Sequence, residues 1–223
     1  MTEELKDLVC LHAAGSAPAT WDGVRAGLEE AGYRVHCPTL AGHRGAARRT
    51  AYRLDDFRDD VVRELDELGL ERVTLVGHSL GAFVASLVAV QVPERVERLV
   101  LEELPVPPRY AGGGPPSGKV GTGAALRVMG FLGRKKFDPR MLREVVAELR
   151  KPQPAWWDGL IAVPAPTLLL AGGPKSHLDQ SRFELIAKQM PSATIVTVDA
   201  GHRIHRRAPQ RWLAAVTSHL RGA

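Results

Sequence analysis

One serine in this chain has surroundings suited to nucleophilic attack. The run Gly77-His78-Ser79-Leu80-Gly81 follows the apolar residues Leu75 and Val76 and precedes a helix pattern that is apolar nearly all round. A G-x-S-x-G sequence between a strand and a helix places its serine on a sharp turn with the hydroxyl presented outward. Glycines flank it because such a turn brings backbone too close to its neighbours for a Cβ. The helix that starts at Leu80 aims its free N–H groups at the same point, which favours developing negative charge. A serine hydroxyl needs a base, and a neutral imidazole suits the task. The chain has eight histidines, so histidine alone selects nothing. A base in turn needs an orienting carboxylate, and Glu102-Glu103 end an apolar strand pattern. Alternation along a strand means the two cannot face the same way. Burying both is costly unless one is used or solvated.

The elements that must hold these groups alternate. Apolar strand patterns cover residues 8–13, 33–40, 72–77, 96–101, 166–171 and 194–198, with helical patterns at 21–31, 54–70, 80–92, 181–190 and 209–220. Continuous apolar strands alternating with helices predict an α/β fold, a mostly parallel sheet of about six strands with helices on both faces. Residues 1–104 and 165–223 form this core. Residues 105–164 interrupt it, beginning with a Pro/Gly-rich loop and continuing with helical patterns at 124–132 and 138–150. An insertion just past a strand's carboxyl end is placed to cover a site there, so it is read as a small lid.

Composition narrows the classes. Apolar residues make up 44% of the 223, enough for a core. No apolar run approaches the ~20 residues of a membrane span. The charged start, Met1 to Asp7, is unlike a secretory signal, so the expected location is cytoplasmic. The net charge of +5 is scattered, with no stacking aromatics beside its basic clusters, which argues against nucleic acid. Two cysteines, Cys10 and Cys37, read as small hydrophobes in strands rather than a disulfide framework. No metal-ligand spacing stands out. The stretch from Gly113 to Lys119 approaches a phosphate-binding loop but continues with Val120 and contains two prolines. No metal and no cofactor are expected.

Beyond the serine, the run Leu11-His12-Ala13-Ala14-Gly15-Ser16, with Trp21 following, resembles the histidine-glycine loop of the α/β-hydrolase family. Gly201-His202 with His205 and Pro209 resembles that family's ending, and Gly42-His43-Arg44-Gly45 its turn after the next strand. The resemblance covers nearly the whole chain. It implies the α/β-hydrolase fold with a small helical lid, Ser79 as nucleophile and His202 as base. It implies an oxyanion hole made by the backbone N–H groups of Ala14 and Leu80. His12 is read as holding the loop, His43 as a loop residue and His205 as a support. The family's usual acid slot holds Lys175, which cannot accept an imidazole proton. A subset resembling haloalkane dehalogenases places the acid where Glu103 stands. Glu103 is therefore the first choice, with Asp179, Glu102 or no acid as alternatives.

The activity implied is hydrolysis of a small-molecule carboxylic ester, thioester or lactone through an acyl-enzyme. The alternatives are a cofactor-free lyase, perhydrolase or cyclisation catalyst on the same scaffold, or a ligand-binding module. Trp156 and Trp157 could line an apolar substrate pocket or staple the lid to the core. Two leading strands common in the family are missing from the pattern, so an exposed sheet edge and a homodimer are possible.

Overall fold

The computed structural model describes residues 5–112, 130–131 and 133–222. Its strands are β1 (Lys6–Leu11), β2 (Tyr33–His36), β3 (Val73–His78), β4 (Val96–Glu102), β5 (Thr167–Ala171) and β6 (Ala193–Thr197). They form one six-stranded sheet in the order β2-β1-β3-β4-β5-β6, with every pair parallel. The helices are α1 (Asp22–Glu30), α2 (Leu54–Glu67), α3 (Leu80–Gln91), α4 (Pro139–Leu149), α5 (Pro154–Gly159), α6 (Phe183–Gln189), α7 (Ile204–Arg207) and α8 (Pro209–Arg221). This is the α/β-hydrolase fold that the sequence implies.

Strand alternation sorts the core into two apolar layers. Val9 and Leu11 of β1 join the layer under α2, α3 and α6, whereas Leu8 and Cys10 join the layer under α1 and α8. Helix α2 shows why these residues make a helix: Leu54, Phe57, Val61 and Leu65 recur at helical spacing and are all buried. Helix α3 is buried on every side, from Leu80 to Ala89. Each such large apolar side chain contributes roughly 1.5–3 kcal/mol of burial.

Three elements differ from the sequence reading. Strand β2 ends at His36, not near residue 40, because Pro38 lacks an N–H for the ladder. Helices α5 and α7 were not expected, having six and four residues, too few for a helical period to show. The helical pattern at 124–132 lies outside the described residues except for 130–131, and the stretch 113–119 lies wholly outside them.

The described part of the insertion docks on the core by polar ties. Asp138 caps α4 through the Arg140 amide at 2.9 Å. Glu144 and Glu148 of α4 accept the Tyr52 and Leu54 amides at 2.8 and 2.7 Å, at the entry to α2. Phe137 forms an antiparallel bridge with His43. No helix among the described residues is long and apolar enough to cross a membrane.

Candidate active site

Ser79 stands between β3 and α3 at φ 53°, ψ −114°. For a residue other than glycine this costs about 1–3 kcal/mol and persists only where the surroundings enforce it. The enforcement is visible. The Ser79 amide donates to Glu102 O at 2.9 Å. A Cβ on Gly77 would lie 2.3 Å from Gly81 O, and one on Gly81 would lie 2.1 Å from Leu11 O. Both glycines are therefore compelled by contact. The second contact also presses the start of α3 against the end of β1, setting Leu80 beside the loop that begins at His12.

Glu103 follows β4 and is fully buried. It has φ 53°, and with Ser79 it is one of two described non-glycine residues in the left-handed region. Its carboxylate accepts the Gly172 amide at 2.6 Å, Gln180 Nε2 at 2.5 Å and the Ser176 hydroxyl. Its fourth partner is His202 Nδ1, at 3.1 Å from Oε2. Burial opposes its charge, but the bonds from His202, Ser176 and Gly172 outweigh it and hold the carboxyl below its ordinary value. Gly172 makes room for this: a Cβ there would lie 3.0 Å from Glu103 Oε1 and 2.3 Å from Gly201 O.

His202 sits in the loop between β6 and α7, partly exposed. Its carbonyl accepts His78 Nε2 at 2.6 Å, which ties the loop to the residue preceding Ser79. The His78 and His202 rings lie 4.8 Å apart, and the His177 ring lies 4.1 Å from His202 on the far loop. His78 is fully buried, and that burial lowers its pKa to about 3. It is a neutral strut.

Glu102 turns away from Glu103. It accepts the Ile204 amide at 2.7 Å, His205 Nδ1 at 2.8 Å and Trp212 Nε1 at 2.9 Å. A carboxylate at the start of α7 suits the buried amides there, which have no acceptor within the helix. His205 Nε2 reaches Thr20 Oγ1 at 2.8 Å. A second buried carboxylate–imidazole pair therefore spans from β4 to the segment after the His12 loop. Burial opposes charge on Glu102 too, but His78 and His205 hold its carboxyl below the ordinary value. Sequence reasoning named His205 a support but missed this pairing. The adjacency Glu102-Glu103 set against His202 and His205 was the available signal.

The His12 loop is fixed by two neutral histidines. His12 Nδ1 donates to Ala13 O at 2.9 Å while Nε2 accepts the Leu40 amide at 3.2 Å. His43 Nδ1 donates to Leu40 O at 3.0 Å while Nε2 accepts the Gly15 amide at 2.9 Å. Each ring uses one nitrogen to give and one to take, which only the neutral form can do. Burial lowers the pKa of both, that of His12 to about 4. His43 is thus more than a loop residue: it clasps Gly15, one residue beyond Ala14.

The remaining candidates have other partners. Asp179 accepts the Ser181 amide at 3.1 Å as a helix cap. Lys175 pairs with Asp199 at 3.4 Å on the surface. Trp156 donates to Ser86 Oγ at 2.9 Å and Trp157 to Pro107 O at 3.0 Å, both buried. Trp156 thus ties the insertion to α3, and Trp157 ties α5 to the strap after β4. His78, Glu102 and His205 are the described residues whose ligand-type atoms approach within 4.8 Å of one another. Glu102 accepts four donors, the His205 amide at 3.3 Å among them, and both nitrogens of His205 are bonded, so these two residues are joined in a hydrogen-bond network.

A sequence model of the alpha/beta hydrolase family matches residues 8–216, and the chain belongs to that family. The sn-1-specific diacylglycerol lipase of Mus musculus is 28% identical over 97% of this chain and 81% of its own length. An uncharacterized protein of Mycobacterium bovis is 38% identical over 95 residues, 42% of this chain and 28% of that longer protein. Among solved structures, the enol-lactonase of Burkholderia xenovorans superposes with TM-score 0.81 at 16% identity, covering 98% of this chain and 92% of that one.

Proposed function

We propose that this protein is a serine hydrolase that cleaves a carboxylic ester, thioester or lactone of a small molecule. Ser79 Oγ attacks the acyl carbon while His202 takes its proton. Glu103 holds the imidazole in the tautomer that keeps Nε2 free to accept. The Ala14 and Leu80 amides receive the oxyanion, aided by the start of α3. His202 returns the proton to the leaving group, an acyl-enzyme remains on Ser79, and water activated by His202 releases it.

The observation that carries this reading is the 3.1 Å contact of His202 with the buried Glu103, made on a loop that His78, next to Ser79, anchors at 2.6 Å. The lipase and lactonase relatives, whose names denote cleavage of ester bonds, agree with the reaction class. The test is a panel of p-nitrophenyl esters and acyl thioesters of graded chain length, run beside Ser79→Ala. Turnover that disappears in the variant is the expected result. Turnover that survives it assigns the chemistry elsewhere.

A further inference from the structure

The two cysteines, which looked like inert hydrophobes in sequence, are placed together. Val9 of β1 pairs with His36, the last residue of β2, so Cys10 of β1 and Cys37, the residue just past β2, follow directly on a paired position of two adjacent strands. Both pack in the apolar layer beneath α1. Adjacent strands run about 4.8 Å apart, inside the roughly 4.4–6.8 Å over which a disulfide joins two Cα atoms. The ladder ends at His36 and β2 is an edge strand, so Cys37 has freedom to adjust its approach.

The two thiols differ in what surrounds them. Cys10 is fully buried, while Cys37 is partly exposed. Arg25 of α1 donates from Nη2 to Cys37 Sγ at 3.4 Å. Its guanidinium is held there by a 3.0 Å bond to Val35 O and a 3.3 Å bond to Glu29. The neighbouring Cys10 thiol and the Arg25 charge hold the Cys37 thiol below its ordinary pKa, against its burial and the charge of Asp22. Burial pushes the Cys10 thiol up. A cationic, partly open setting of this kind marks a reactive cysteine.

We propose that Cys37 is a thiol-modification site for peroxides and Cys10 its resolving partner, closing a disulfide between β1 and the end of β2. The Cys37 thiolate attacks one oxygen of hydrogen peroxide. An S–O bond forms, the O–O bond breaks, and the departing hydroxide leaves as water after gaining a proton. Cys10 then attacks the Cys37 sulfenic sulfur. The S–S bond forms, the S–O bond breaks, and the Cys10 proton and the leaving hydroxide make a second water. Two electrons pass from the sulfurs to the peroxide. The order follows from access, because Cys10 is shielded and cannot meet the oxidant first.

The experiment treats the folded, full-length protein with hydrogen peroxide and follows it by intact and peptide mass spectrometry, which requires no substrate. The expected result is loss of two hydrogens and a cross-link between the Cys10 and Cys37 peptides, reversed by a thiol reductant. Cys10→Ala should halt at a dimedone-trappable sulfenic acid on Cys37. Arg25→Gln should slow the first step at neutral pH by about threefold or more. Two free thiols surviving at a dose that oxidises glutathione would overturn the proposal. So would Cys37 passing to sulfinic acid in the wild type with no cross-link, or Cys10 oxidising as fast in Cys37→Ala.

Discussion

Glu102 and Glu103 are consecutive, yet their carboxylates meet different histidines of the segment after β6: Glu102 bonds His205 of α7 at 2.8 Å and Glu103 bonds His202 of the loop before it at 3.1 Å. The left-handed turn at Glu103 produces the divergence. One pair holds the residue proposed as the base, and the other, fully buried, fixes the helix that follows His202.

Glu103→Gln removes the carboxylate beneath His202 and keeps its volume. The amide can donate where it should accept, which selects the wrong imidazole tautomer. We expect kcat to fall by about 10²–10⁴, read by steady-state kinetics on the best ester of the panel, with circular dichroism unchanged. Full activity would move the orienting role to another residue.

Glu102→Gln has a different signature. Four donors converge on Glu102, and an amide cannot accept all of them. The buried pair is broken from one side, so a loss of about 3 kcal/mol or more is expected in denaturant unfolding. A stability equal to wild type would contradict the network described.

The turn at Ser79 tolerates no added methyl group. Gly81→Ala places a Cβ 2.1 Å from Leu11 O, which only backbone movement relieves. At least ~2 kcal/mol of stability should be lost, together with esterase activity. Gly23→Ala is the control, since nothing lies within 4 Å of its Cβ position and its helical site accepts alanine.

Stability should fall on mild acidification. The histidine value of 6.5 is lowered in the fold to about 4 for His12 and about 3 for His78. Between those values the unfolded chain binds protons that the folded chain refuses, so folding weakens as pH drops through this window. The depressed carboxyls of Glu102 and Glu103 extend the loss below it, as the folded state is forced to protonate them. Melting temperature against pH tests this: His12→Asn and His78→Asn should each flatten the slope between about pH 6.5 and 4. A wild-type curve flat over that interval would contradict it.

Much of the fold was legible because its signals are local. Unbroken apolar strands, the amphipathic stripe of α2 and the Ser79 turn each reside in fewer than about 15 consecutive residues. The less legible parts depend on distant partners. Nothing near His43 in sequence says that it will hold Gly15, because the contact requires two loops to meet. Trp156-Trp157 carried an apolar signal without a direction, and the direction came from Ser86 and Pro107 once α3 and the strap after β4 were in place. The cysteines looked inert because Arg25 lies twelve residues from Cys37 and on another element.

The central claim is that Ser79 is a nucleophile activated by His202. A fluorophosphonate probe, followed by peptide mapping, tests it most directly. The account predicts a single stoichiometric adduct on Ser79 that is lost in Ser79→Ala and formed far more slowly in His202→Ala. A well-folded wild-type protein that stays unlabelled, or carries the adduct on another residue, would contradict it.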